Sequence, residues 1–179
     1  MDDDEIIIGH VGRFSLQKNH EFLIDIFEKI AKKYKAKLLL VGEGNLYGNI
    51  RQKVKELGIE QKVIFTGVRS DVADLMQAMD VFVFPSLYEG LPVTMVEAQA
   101  AGLPCVISSN VPYETVLIPE LVKTLNLSNS VDKWSECILE MSEKERKDTS
   151  STIKEKGFDI EEAAKWLEKF YGEKINSIN

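Results

Sequence analysis

Six short apolar runs punctuate the first two-thirds of this chain, and most are followed by a stretch whose apolar residues recur at helical spacing. The runs are "IIIGHV", "AKLLLVG", "KVIFTG", "DVFVFP", "LPCVIS" and "LVKTL"; helical spacing is read over 21–34, 46–57, 72–79 and 92–101, with a short piece near Pro112. A strand covered on one face alternates apolar and polar side chains, whereas one covered on both faces reads as a continuous apolar run. These runs are of the second kind. Alternation of such strands with helices predicts parallel βαβ units, hence an α/β domain with a doubly wound parallel sheet of about six strands. After Ser130 the period is wholly helical, over 131–141, 143–156 and 160–175. In the last stretch Ala163, Ala164, Leu167, Phe170 and Tyr171 share one face, a stripe expected to be core or the contact to a part of the protein missing here.

A chain of 179 residues accommodates one domain, and 44% hydrophobic with 28% charged residues belongs to a folded globular protein. The net charge of −7 opposes nucleic-acid binding, which draws its affinity from clustered Lys and Arg releasing counterions. The longest apolar runs are too short to cross a membrane, and no signal-peptide pattern opens the chain. Cys105 and Cys137 lack metal spacing and read as free thiols of a reducing, cytoplasmic protein. The start "MDDDE" has the look of an excised piece, and its Asp2-x-Asp4 reads as a solvated tail rather than a metal site. His10 is expected to pack within the first strand and His20 to lie on the surface, and the pair makes no metal site.

An open parallel sheet binds ligands beyond the carboxyl ends of its strands, at the point where the strand order reverses. That rule selects Gly12-Arg13, Gly42-Glu43-Gly44, Gly67-Val68-Arg69, Ser86 to Glu89 and Ser108-Ser109. Within "YEGLPVTMVEAQAAGLP", Pro92 is expected as the first residue of a helix, where a missing N–H does no harm. The amides of Gly90, Leu91, Val93 and Thr94 then face the crevice as an anion site of the phosphate-binding kind, and Gly90 lets a ligand approach closely. Glu89 enters from the loop and Glu97 leans back along the helix. Two carboxylates beside a phosphate repel it unless they accept hydrogen bonds from hydroxyl groups on either side, which suggests a nucleotide diphosphate sugar; a solvated acidic face is the plain alternative. Arg13 and Lys18, in the turn that Gly12 keeps open, supply the cations an anion needs.

These residues carry a resemblance. "GR" with a Lys five positions on, the "GEG" turn, "FTGVRSD" and "PSLYEGLPVTMVEAQAAGLPCV" resemble the donor-binding C-terminal domain of the retaining group-one (family four) glycosyltransferases of GT-B architecture. "FDIEEAAKWLEKFY" is similar to that family's closing helix, and the likeness is closest to bacterial capsular and exopolysaccharide enzymes. The resemblance implies a Rossmann-like half of a GT-B fold, residues 1–179 forming the donor domain, with an N-terminal acceptor domain outside this chain. It implies that Arg13 and Lys18 bind the donor diphosphate, Glu89 with the Gly90 and Leu91 amides holds the sugar, Val93 and Thr94 amides receive a phosphate, Glu97 bonds the ribose, and Val68-Arg69 lines the nucleobase pocket. Glu89, Arg13 and Lys18 would be the catalytic group, acting in a front-face transfer that needs neither metal nor cofactor. Where many members carry a second glycine, this chain has Leu91-Pro92, and Pro92 donates no hydrogen bond. UDP-sugars are the favoured donors and GDP-sugars the alternative. Peripheral membrane association of the complete enzyme is left open, and the fragment alone is expected to bind donor weakly and transfer nothing.

Three other readings compete. "GEGNLYG" approximates a dinucleotide fingerprint, but it has one residue too many before the last glycine and no acidic residue ends the next strand. Two carboxylates suit a glycoside hydrolase, which has no use for a phosphate-type helix start. A stand-alone nucleotide-sugar-binding or scaffold domain shares every donor contact with the enzyme.

Overall fold

The computed structural model describes residues 5–176; the acidic run containing Asp2 and Asp4 lies outside the described residues. The elements run β1 (Ile6–Val11), α1 (His20–Ala31), β2 (Ala36–Val41), α2 (Tyr47–Glu56), β3 (Val63–Gly67), α3 (Val72–Gln77), β4 (Val81–Phe84), α4 (Val93–Ala100), β5 (Cys105–Ser108), β6 (Val122–Leu125), α5 (Val131–Ser142), α6 (Ser150–Glu155) and α7 (Ile160–Asn176). The six strands pair in parallel in the order β3-β2-β1-β4-β5-β6. This is the Rossmann-like, doubly wound sheet that the apolar runs predict.

Successive strand residues face opposite sides, and in the four inner strands both sides are core, whereas the edge strands β3 and β6 are partly exposed. Ile8 of β1, Leu38 and Leu40 of β2, and Val81 and Val83 of β4 join one layer, under α1, α2 and α5; Ile7, Val11, Leu39, Val41, Phe82 and Phe84 join the other, under α3 and α4. Each such side chain contributes about 1.5–3 kcal/mol on burial, so the two-sided demand forces apolar residues at consecutive positions. Cys105 and Cys137 are buried free thiols in different layers, with the sheet between them.

The structure redraws two helices. Pro92 precedes α4 rather than opening it: its φ of −73° suits a helix, but its ψ of 107° is extended. The helical period over 143–156 is broken, since α5 ends at Ser142 and α6 spans only Ser150–Glu155. Tertiary hydrogen bonds hold the segment between them. Arg146 donates to the carbonyls of Met76, Met79 and Ala101 and to the Gln77 side chain, and Thr149 Oγ1 donates to the carbonyls of Gln99 (2.8 Å) and Ala100 (3.1 Å). Those carbonyls sit at the ends of α3 and α4, where a helix leaves its last C=O groups without partners. Along α7 the apolar stripe stays exposed, Leu167 at 44% and Tyr171 at 60%, so it forms no part of this core.

One side chain fixes α4 from behind. Gln99 is fully buried; its Nε2 donates to the carbonyls of Met95 (2.8 Å) and Thr115 (2.7 Å), and its Oε1 accepts the amides of Leu117 (2.8 Å) and Ile118 (2.9 Å). Both donors and both acceptor positions of the amide are used. Gln99→Leu removes the bonds and leaves buried amides and carbonyls unsatisfied, at about 1–3 kcal/mol each. Urea unfolding of that variant is expected to show a loss of about 3 kcal/mol or more, as a lower midpoint at unchanged slope; a loss below about 1 kcal/mol would refute the bracing role.

Candidate functional site

The strand order reverses between β1 and β4: the turn after β1 leads to α1 on one face, and the turn after β4 leads to α4 on the other. A crevice opens there, as the rule for such sheets requires. Its floor is tightly made. Gly42 (φ 133°) packs so closely on the β1 turn that a Cβ would lie 2.2 Å from the Gly12 carbonyl oxygen, and one on Gly44 would lie 2.4 Å from that of Phe14. Two of the three glycines that suggest a dinucleotide fingerprint, Gly42 and Gly44, are thus required by contact between two turns of the chain itself, whereas a Cβ on Gly48 would meet nothing within 4 Å.

Four of the residues singled out by the sequence meet at this crevice. Lys18 Nζ lies 2.7 Å from Glu89 Oε1, with the two side chains only 14% and 5% exposed, and 4.5 Å from the centre of the Phe84 ring. A Cβ on Gly12 would come within 3.3 Å of the Lys18 stem, so the missing side chain gives the lysine its path. Arg13 is exposed and lines a cavity of about 460 Å³ with Ser15, Leu16, Gln17, Asn45 and Tyr88. No ion-pair partner of Arg13 is found among the described residues.

The β1 turn and the β4 loop are also zipped together. The Leu87 amide donates to the Gln17 carbonyl (2.8 Å), and Asn19, left-handed at φ 54°, donates from Nδ2 to the Pro85 carbonyl (3.1 Å). Gln17 Nε2 donates to the Tyr88 carbonyl (3.0 Å) and to Glu89 Oε2 (3.1 Å). Sequence reasoning missed Gln17 and Asn19. Their adjacency to Lys18 was the only signal.

The remaining predicted residues lie around this centre. Gly90 and Leu91 form the turn before α4, and a Cβ on Gly90 would meet nothing within 4 Å, so the chain's own packing does not demand glycine there. Val93 and Thr94 open α4 with no side-chain cap, and helix geometry leaves their amides without intrahelical acceptors. Glu97 is exposed on the next turn and lines a groove of about 270 Å³ between α3 and α4, with Ala73, Met76 and Gln77 across from it. Glu97 thus borders the α3–α4 groove, while Glu89 is held by Lys18 and Gln17. Val68 is 73% exposed after β3, while Arg69 donates to both carboxylate oxygens of Asp71 (2.8 and 2.5 Å), which lowers the Asp71 pKa.

Two histidines lie under the Lys18 turn. His10 is fully buried and its Nδ1 lies 2.8 Å from the Val83 carbonyl, so that nitrogen carries the proton and Nε2 is bare; Nε2 would be 3.0 Å from a Cβ on Gly12. His20, expected at the surface, is instead 2% exposed. It opens α1 directly after the left-handed Asn19, stacks on Phe14 with centroids 4.1 Å apart, and meets His10 edge-on at 4.6 Å. Neither His20 nitrogen nor His10 Nε2 has a hydrogen-bond partner among the described residues. Burial is the main cause that pulls the His10 pKa down to about 4 and that of His20 to about 2, with the nearby Lys18 charge adding to both.

Comparison with known proteins gives this geometry a family context. The sequence profile described as "Glycosyl transferases group 1" matches residues 1–159. The putative glycosyltransferase EpsF of Bacillus subtilis is 37% identical over 163 residues, which span 89% of this chain and 42% of that protein. The lipopolysaccharide outer core galactosyltransferase WaaB, in its apo form, superposes with a TM-score of 0.73 at 21% identity, over 96% of this chain and 50% of that one. The structure of Anabaena Alr3699/HepE in complex with UDP and glucose gives 0.73 at 21% identity, over 97% and 49%. The chain thus spans about half the length of these three proteins.

The buried histidines set an acid limit on the fold. With folded pKa values below the ordinary 6.5, the unfolded chain binds more protons than the native one below that pH, so stability falls as the pH drops from 6.5 towards 4, by about 1.4 kcal/mol per pH unit for each histidine. His20→Phe keeps the ring and removes one titration. Urea unfolding at pH 4.5, 5.5 and 6.5 is expected to show a shallower decline for the variant than for the parent by about that amount, and equal slopes would contradict it.

Proposed function

The chain belongs to the group 1 glycosyl transferases, and from that premise we propose that it is the donor-binding half of an enzyme that moves a sugar from a nucleoside diphosphate to a glycan or lipid-linked acceptor, with the configuration of the sugar retained. The observation that carries this reading is the meeting, at the β1/β4 crevice, of Arg13 and the Lys18–Glu89 pair, with the uncapped start of α4 four residues beyond Glu89 in the chain. Cations and helix amides suit a diphosphate, and a carboxylate beside them suits sugar hydroxyls.

In this reading Arg13 and Lys18 grip the diphosphate and the Val93 and Thr94 amides receive one of its phosphates. Glu89, with the Gly90 and Leu91 amides, orients the sugar; Glu97 accepts from the ribose hydroxyls along the α3–α4 groove, and Val68-Arg69 borders the base. The leaving diphosphate gathers negative charge as the anomeric bond lengthens. Fixed donors already aimed at it lower that barrier, and one such donor is typically worth about 3 kcal/mol. No step in this scheme calls on a metal. The HepE complex contains UDP and glucose, which favours a UDP-sugar here over a GDP-sugar. In this reading the acceptor site belongs to a further N-terminal domain, which is in keeping with the chain spanning about half the length of these relatives. Surface-polysaccharide synthesis, of the capsular or exopolysaccharide kind, on the cytoplasmic side is the setting this reading implies; no helix among the described residues is long and apolar enough to cross a membrane.

Calorimetric titration with UDP, GDP and their sugar conjugates tests the assignment. Arg13→Ala is expected to weaken every nucleoside diphosphate about 10- to 100-fold, the value of a charge-assisted hydrogen bond. Glu97→Ala is expected to weaken UDP while leaving 2′,3′-dideoxy-UDP unchanged. Unaltered affinities in both variants would remove the donor assignment.

A further inference from the structure

We propose that Gln17 is a positioning residue for Glu89, and that it sets how strongly the crevice prefers a nucleotide sugar to the bare nucleotide; this deepens the donor reading above and rests on it. A glutamine amide has two N–H donors, and Gln17 directs both at one short stretch, the Tyr88 carbonyl (3.0 Å) and Glu89 Oε2 (3.1 Å). The next residue takes the other oxygen, through Lys18 Nζ at 2.7 Å from Oε1. Consecutive residues of one turn therefore hold Glu89 by both oxygens. The carboxylate is only 5% exposed, so solvent does not choose its orientation.

The two holds respond differently to an anion. Lys18 is a charge, and an incoming diphosphate competes with Glu89 for it. Gln17 is neutral and its donors are already spent within the loop, so its hold on Oε2 persists as Lys18 turns to the phosphate. Oε1 is then released for a sugar hydroxyl while Oε2 stays anchored. The amide suits this task better than either charged alternative. A carboxylate at position 17 would face Glu89 across about one hydrogen-bond length and compete for Lys18, and an ammonium would neutralise Glu89.

The test compares the parent with Gln17→Ala and Gln17→Glu by calorimetry, using UDP, GDP, UDP-glucose, UDP-galactose, UDP-N-acetylglucosamine and GDP-mannose. The quantity read is the ratio of the diphosphate Kd to that of the best-bound sugar conjugate of the same base. Gln17→Ala is expected to leave the diphosphate Kd within about twofold and to reduce the ratio about tenfold, and Gln17→Glu to reduce it further, the size expected for one hydrogen bond to a carboxylate. Thermal unfolding of each variant serves as the control, and Gln17→Met, equal in length but without a donor or a charge, stands in should the alanine variant fail to fold. An unchanged ratio, a parent ratio of one, or equal weakening of diphosphate and conjugate would overturn the proposal, the last making Gln17 a mere staple. A parent that binds no nucleoside diphosphate overturns the donor reading itself and the role of Gln17 with it. Diphosphate binding with an unchanged ratio overturns only the latter.

Discussion

Lys18 reaches Glu89 across 71 residues of chain, and the contact exists because β1 and β4 are neighbours in the sheet. Strands distant in sequence lie side by side here, and their connections leave towards opposite faces. The crevice between them is therefore a property of the strand order, not of any loop. The zipped hydrogen bonds from Gln17 and Asn19 to residues 85–89 follow from that adjacency, and they turn two exposed loops into one surface of defined shape.

That surface has a rigid backing. Gln99 ties α4 to the connection before β6, and the Arg146–Thr149 strap caps the ends of α3 and α4. The start of α4, where the uncapped amides lie, is thereby fixed by contacts at the other end of a helix of only two turns. Such a short helix has little stability of its own in water. Its geometry at the crevice is a consequence of buried polar bonds some distance away, which is how a scaffold can preorganise a site without a side chain in it.

The sheet was legible in the sequence because burial on both faces leaves an unmistakable mark, as in "KLLLV" and "VFVFP". The crevice residues were legible because strand ends in an open parallel sheet select their own turns, which placed Gly12, Arg13, Lys18 and Glu89 together before any coordinates. What escaped was held by individual side-chain bonds. Arg146 and Thr149 interrupt a helical period that nothing nearby in the chain forbids. His20 follows a left-handed Asn19 that points it inward, and a lone asparagine before a helix does not announce its φ. Gln17 acts across more than 70 residues through an amide that has no period and no charge. Periodicity reports burial, and these interactions are about partners.

Under the proposed donor reading, a chain of net charge −7 has to favour an anion locally. Distant surface carboxylates are screened within about 10 Å at ordinary salt, so the local charges decide. Two opposite charges at 4 Å interact by about 4 kcal/mol at an effective dielectric of 20, so Arg13, without an ion-pair partner among the described residues, can outweigh a diffuse acidic surface while Glu89 balances Lys18. Bringing an ammonium into a half-buried crevice carries a desolvation cost, and here Glu89 offsets it before any ligand arrives. In the donor reading an entering oxyanion replaces Glu89 as the partner of Lys18, and Glu89 then depends on Gln17 and a sugar hydroxyl for its hydrogen bonds. Arg13 remains in solvent with its donors available, able to meet the ligand first. One cation is held in reserve by the fold and the other is presented at the rim, and the donor reading needs both arrangements.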